Sequence, residues 1–336
     1  MKTMIRHWLA ALALVLACPG ALAQFSQVIS IGDSLSDTGN TLDASFGIEP
    51  AAPNYMGRFS NGPLWNELLA IELGLAPPTP SRNGGDNYAY GGALTSADVN
   101  ITIIPFILVI TLRSASNQIF DYLNDVGTGD PDALYTLGIG GNDILEAGAA
   151  LSAAATATQI DDAAQELYNI AQSFQVPLQQ LLNNVPNTGI ARFAILNVPN
   201  VGATPRASSD GKEAIFEALT IAYNNGIADV VNAIGDPRVI LVDFFALTND
   251  AVANPAAYGF SNVTDRCWIA SPSSVCSNPD DYLLWDDIHP TTMGHTMAMI
   301  AVQEAIFPTR VTIPVPAIYA WLLLLVAALV TARLRN

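Results

Sequence analysis

The sequence predicts an α/β fold, with a central, mostly parallel sheet covered by helices on both faces. Three observations predict it. Short apolar runs alternate with longer stretches whose apolar residues recur at helical spacing. Of the 336 residues, 51% are hydrophobic and only 13% are charged, enough for a large core. Glycine-containing turns follow two of the apolar runs, where ligand sites of such sheets lie.

The elements follow in chain order. Residues 28–31, Val-Ile-Ser-Ile, predict the first strand, which runs into a turn bracketed by Gly32 and Gly39. Residues 63–74 place Leu64, Trp65, Leu68, Leu69, Ile71 and Leu73 at the spacing of an amphipathic helix. Residues 134–139 predict a buried strand that delivers Gly140–Asp143 at its carboxyl end. Residues 159–185 predict one long helix, Ala/Leu-rich, with Asp161 and Asp162 complementing the positive end of its dipole. Residues 193–196 and 239–242 predict two further strands, with a helix over 214–234 between them. Pro290 and Thr291 start a last helix, with Met293, Met297, Ile300 and Ala301 on one face. No internal repeat and no domain-sized linker divides this region, so residues 24–310 are expected to form one domain.

Both ends read as targeting segments. Residues 1–23 have the form of a signal peptide: Lys2 and Arg6, an apolar run over 8–17, and Ala21-Leu22-Ala23 before Gln24. At the other end, residues 311–332 carry no charge and 318–330 are almost wholly apolar, with Arg310 before and Arg333 and Arg335 after. The uncharged stretch is long enough to span a bilayer, and its basic tip fits a cytoplasmic end. Removal of the leader leaves two cysteines, Cys267 and Cys276. An exported protein would join them in a disulfide; the alternative is two free buried thiols, since no metal-ligand spacing competes for them. Between the two segments, nine basic residues stand against thirty acidic ones, a net charge of −21. That balance disfavours nucleic acids and anionic membrane surfaces as partners.

Ser34 lies just past the first strand, and a serine hydroxyl needs a base. The chain has three histidines, His7, His289 and His295, and His7 falls in the leader. His289 has Asp286 three residues upstream, in Trp285-Asp286-Asp287-Ile288-His289-Pro290. Ser34, His289 and Asp286 form a candidate nucleophile, base and orienting carboxylate. Asp287 competes with Asp286 for the last role.

Four blocks occur in order: GDSLSDTGN at 32–40, NYAYGGA at 87–93, GGND at 140–143 and DDIHP at 286–290. This series resembles the GDSL family of serine esterases and lipases, also called SGNH hydrolases, over about residues 27–307. The nearest likeness is to the branch of bacterial lecithinase/haemolysin-like proteins and plant GDSL lipases. The resemblance implies a three-layer α/β/α fold and the triad Ser34, His289 and Asp286, the last chosen over Asp287 by the family spacing. It implies an oxyanion hole made by the Ser34 backbone N–H, a glycine N–H and the Asn142 side chain. Gly92 is the glycine that aligns, with Gly91 as the alternative. Asp33 is expected to support the turn, Asp143 to brace the Asn142 loop, and His295 to be an ordinary helix residue. No cofactor and no metal are expected. The tail, with Ile313-Pro314-Val315-Pro316-Ala317 before its apolar run, resembles PEP-CTERM-type sorting tails of the VPLPA-like kind. That resemblance implies transient membrane retention and a sorting protease as a partner; a permanent anchor is the alternative.

The expected activity is hydrolysis of carboxylic esters, lipids included, by a secreted enzyme through an acyl-enzyme on Ser34. A polysaccharide O-acetyl esterase and a largely non-catalytic matrix-associated surface protein are the alternatives. Residues 101–110, apolar and interrupted by Pro105, read either as a buried core segment or as an apolar wall or flap that receives an acyl chain.

Overall fold

Four parallel strands carry the fold. The computed structural model describes residues 25–308 apart from 106 and 271–272; the leader and the tail read from the sequence lie outside the described residues. The strands in chain order are β1 (Val28–Gly32), β2 (Val99–Ile104), β3 (Leu108–Leu112), β4 (Leu134–Gly138), β5 (Arg192–Leu196), β6 (Val239–Val242), β7 (Asn262–Arg266), β8 (Trp268–Ala270), β9 (Ser273–Val275) and β10 (Tyr282–Leu284). The helices are α1 (Asn40–Ala44), α2 (Trp65–Glu72), α3 (Ala115–Val126), α4 (Gly141–Ala150), α5 (Ala157–Ser173), α6 (Gln175–Asn184), α7 (Pro205–Asp210), α8 (Glu213–Ile234), α9 (Phe244–Ala253) and α10 (Thr292–Ile306). The central sheet has the order β1-β4-β5-β6, with Val28 opposite Leu134, Leu134 opposite Arg192 and Phe193 opposite Val239.

Side chains alternate across each strand, and the alternation builds two apolar layers. Ile29, Ile31, Tyr135, Leu137, Phe193 and Ile195 face one way, against Ile119 and Tyr122 of α3, Leu178 of α6 and Phe216, Leu219 and Tyr223 of α8. Val28, Leu134, Ala194 and Leu196 face the other way, against Trp65 and Leu69 of α2, Phe244 of α9 and Met297 and Val302 of α10. This is the three-layer α/β/α arrangement.

Three sequence expectations change. Residues 159–185 do not form one helix: α5 ends at Ser173, and α6 begins at Gln175. Pro177 is the reason. It has no N–H to donate to Ser173, and its ring would collide with that carbonyl, so the chain restarts with proline in a first turn, where no donor is needed. On α10 the buried face is His295, Met297, Ala298 and Val302, while Ile300 is exposed. Residues 101–110, of which 106 lies outside the described residues, do not line the cavity described below; Ile110 is in the core and Ile103 and Leu108 pack against it, which bears out the core-packing reading in part. They belong to the antiparallel β2–β3 hairpin, outside the central sheet, in which Ile110 and Leu112 turn inward while Ile101 and Val109 are exposed.

The expected disulfide is present. Cys267 and Cys276 are bridged and close the small β8–β9 hairpin. Cys267 N–H donates to Leu284 O and Trp268 N–H to Trp285 O, which ties this hairpin to the strand entering the Asp286–His289 segment.

Candidate active site

The site forms where β1 and β4 end. Gly32 lies opposite Gly138, and a Cβ on Gly32 would stand 2.4 Å from the Gly138 carbonyl oxygen, so this approach requires glycine. Gln118 of α3 holds the strand end. Its Oε1 accepts from Gly32 N–H at 2.8 Å, and its Nε2 donates to the carbonyls of Gly32 and Arg113, both at 2.8 Å. Beyond Gly32 the chain folds into a tight turn in which the Ser36 and Asp37 N–H groups both donate to Asp33 O. Asp37 is fully buried, and its carboxylate accepts from the N–H groups of Gly39, Asn40, Thr41 and Gly91, which ties the first sequence block to the second. The Asn40 amide donates to the carbonyls of Asn87 and Ala89 in the same join.

On this turn Ser34 Oγ lies 2.8 Å from His289 Nε2, and His289 Nδ1 lies 2.7 Å from Asp286 Oδ2. The other Asp286 oxygen accepts from the N–H groups of His289 and Ile288, so the Asp286–His289 segment is a closed local turn. The Phe59 ring lies against the imidazole, with centroids 5.2 Å apart. Burial opposes charge on Asp286, but the positive form of His289 and the hydrogen bonds from His289 and Ile288 outweigh it and hold the carboxyl below its usual range. Burial likewise opposes protonation of His289; the Asp286 charge and hydrogen bond win, and the imidazole pKa is raised.

The remaining candidates separate by their partners. Gly91 N–H is taken up by Asp37 Oδ2 and Thr41 Oγ1, each at 2.9 Å. Gly92 has φ +80, and its N–H has no acceptor among the described residues; the same holds for Ser34 N–H. Asn142, in the first turn of α4, donates one amide hydrogen to Ala93 O at 3.0 Å and keeps the other. Asp287 meets Arg206 at 3.2 Å rather than the imidazole. Asp143 accepts from Thr95 N–H and Oγ1, and Thr95 in turn bonds the Tyr223 hydroxyl, so Asp143 braces the Asn142 turn. His295 is buried, and burial first, then His289, drives its pKa down to about 3, which keeps it neutral.

Gln118 and Phe59 are parts of this site that sequence reasoning does not find. Each reaches it across the fold; Gln118 lies in no motif, and Phe59 lies in GRFSNGPLW at 57–65, a lesser family likeness that assigns it no role. Among the described residues, no group of three or more His, Cys, Asp and Glu is placed to hold a metal. A cavity of about 90 Å³ opens beside Ser34 and His289, with Leu35, Ile139, Leu145, Val198 and Val201 among its walls.

Known proteins resemble this chain along most of its length. The profile of the family described as GDSL-like Lipase/Acylhydrolase matches residues 28–302. A GDSL esterase/lipase of Arabidopsis thaliana is 26% identical over 309 residues, covering 79% of this chain and 83% of its own. A phosphatidylcholine-sterol acyltransferase of Aeromonas hydrophila is 24% identical over 330 residues, covering 84% of this chain and 90% of its own. Among solved structures, phospholipase A1 from Streptomyces albidoflavus aligns with a TM-score of 0.47 at 13% identity, over 84% of this chain and 99% of its own.

Proposed function

The chain belongs to the GDSL-like lipase/acylhydrolase family and is a carboxylic ester hydrolase; from that premise we propose that Ser34, His289 and Asp286 carry its chemistry through an acyl-enzyme. The observation that carries the reading is the unbroken relay from Ser34 Oγ to His289 Nε2 and from His289 Nδ1 to Asp286.

His289 takes the Ser34 proton as Oγ attacks the ester carbonyl, and Asp286 steadies the resulting imidazolium. The oxyanion is met by Ser34 N–H, Gly92 N–H and the second Asn142 amide hydrogen. The choice of Gly92 over Gly91 is supported by the bonds that already occupy Gly91 N–H. Collapse breaks the bond to the alkoxy oxygen, and the alcohol leaves with the proton held by His289. Water then attacks the acyl carbon, with His289 again as base, which frees Ser34 and the carboxylic acid. The aliphatic walls of the cavity suit a hydrocarbon acyl chain, as in a lipid, better than they suit the sugar side of an acetylated polysaccharide. The protein is exported, and its tail is a transient membrane-retention segment removed by a sorting protease. That part rests on the sequence of residues 1–23 and 311–336.

Ser34→Ala and His289→Ala should each lower kcat for a soluble ester by several orders of magnitude, and the double variant should fall little further, because the residues act as a unit. Near-full activity in Ser34→Ala overturns the nucleophile assignment.

A further inference from the structure

Two segments beside the catalytic turn expose large apolar side chains instead of burying them. On the β2–β3 hairpin, Ile107 is 80% and Val109 60% exposed; on the 46–57 loop, Phe46 is 80% and Met56 69% exposed. Single exposed hydrophobics need no explanation, but a contiguous patch marks an interaction surface. Phe46 and Val109 are contiguous, since with Leu108 and Ile110 they line one shallow depression, and Ile107 and Met56 lie one and ten residues along the chain from its lining. Phe46 and Met56 also have positive φ, 55° and 45°, a strained backbone for bulky side chains.

Both segments abut the catalytic centre. A Cβ on Gly92 would stand 2.7 Å from Leu112 Cδ1 and 3.8 Å from Ile101 Cδ1, so the hairpin packs on the proposed oxyanion glycine. Phe59, three residues after Met56, lies on the His289 ring and against Gly91. The charges point to the occupant. Residues 99–112 carry no charge and 46–57 only Glu49, in a chain of net charge −17. Arg82 lines the same depression with no carboxylate within ion-pair distance among the described residues, whereas Arg113 beside it is paired with Asp98 and Asp121.

We propose that the β2–β3 hairpin and the 46–57 loop form a docking face for a zwitterionic phospholipid surface, with the apolar side chains entering the interface and Arg82 meeting a phosphodiester. A face whose two segments carry one charge between them, with Arg82 outside any ion pair among the described residues and Arg113 neutralised by Asp98 and Asp121, fits such a surface, while the acidic body repels an anionic one. The proposal rests on the catalytic reading of Ser34 only for its purpose, which is to bring the site to its ester; the docking itself needs no turnover.

The test therefore reads binding at one place on the molecule. In the full chain carrying Cys18→Ser, Val109→Cys is labelled with an environment-sensitive fluorophore; Ile300→Cys, on the helix layer across the sheet, is the control. Hydrolysis of a soluble acetyl ester at the parent rate shows that each labelled protein is folded. Phosphatidylcholine vesicles should shift the emission to the blue and raise it several-fold at 109 but not at 300. Arg82→Gln should require more lipid for the same change. No change at 109, an equal change at both positions, or a change at 109 that follows protein concentration without lipid each overturns the proposal, the last in favour of a second copy of the chain. Loss of ester hydrolysis in Ser34→Ala with the vesicle response intact separates the two readings.

Discussion

Asp33 is 4% exposed, and burial raises its carboxyl to about 6, against the Leu35 N–H and the positive form of His289, which pull it down. A carboxyl whose folded pKa lies above its unfolded value stabilises the fold while protonated. The wild type should therefore lose stability as the pH rises from about 4 to about 6. Asp143, raised to about 6 by burial, adds to the same window. Asp33→Asn keeps an oxygen for the Leu35 N–H and removes the ionisation. It should stabilise the protein at pH 7 by on the order of 1–3 kcal/mol and leave stability at pH 4 unchanged, which denaturant titrations at the two pH values would check. It should also shift the acidic limb of kcat/KM to lower pH. That limb reports deprotonation of His289, which in the wild type lies above its ordinary value near 6.5, and the Asp33 charge is one of the groups that raise it. An unchanged limb in Asp33→Asn would show that Asp286 and Asp287 set the imidazole without Asp33. The proposed triad was legible in sequence because its residues sit in short windows with few competitors. Asp287 shows the limit: adjacency did not separate it from Asp286, family spacing did, and Arg206, far away in sequence, is what holds it elsewhere.

The secondary elements were legible in proportion to how much of their burial is local. The four central strands are continuous apolar runs, and all four are where periodicity places them. The hairpin has the same composition as a core strand, and only the absence of a partner in the central sheet distinguishes it, which no window of sequence contains. The break at Pro177 was written in the sequence but outweighed there by the Ala/Leu richness around it. Gln118 is the clearest case of an illegible residue. On an amphipathic helix a glutamine reads as solvent-facing, yet its amide closes the end of β1 from 86 residues away. Gln118→Leu removes the acceptor of Gly32 N–H, while Gly32 O keeps the Tyr90 N–H. Stranding the Gly32 donor, with the part-buried Arg113 carbonyl also losing the Gln118 amide, should destabilise the protein by about 1–3 kcal/mol. Because Ser34 lies two residues beyond Gly32, kcat should fall more than KM rises. Gln118→Glu retains the acceptor and should keep more of both. A variant that loses stability with unchanged kcat would reduce Gln118 to a packing role.

At the scale of the molecule, the position of the two chain ends bears on how the enzyme meets a membrane. Phe25 and Phe307 lie with ring centroids 6.2 Å apart, so the described chain begins and ends at one place. That place is at the start of β1, whereas Ser34 lies beyond its carboxyl end. Helix α10 connects the two, starting just after His289 and ending at Ile306. The described chain thus ends, at residue 308, at the end of the sheet away from the Ser34 turn. Among the described residues both apolar layers fall between Phe25 and Phe307, as do the proposed triad and oxyanion residues. A chain ended after Arg310 should therefore fold, stay in solution without detergent and hydrolyse a soluble ester within about twofold of the full chain, since a twofold change is well under 1 kcal/mol of transition-state stabilisation. Its vesicle response at position 109 should persist. A truncated chain that aggregates or loses turnover would show that residues 311–336 complete the core. In the native host, mature protein with a mass that still includes Arg333 and Arg335 would replace removal of the tail with permanent anchoring.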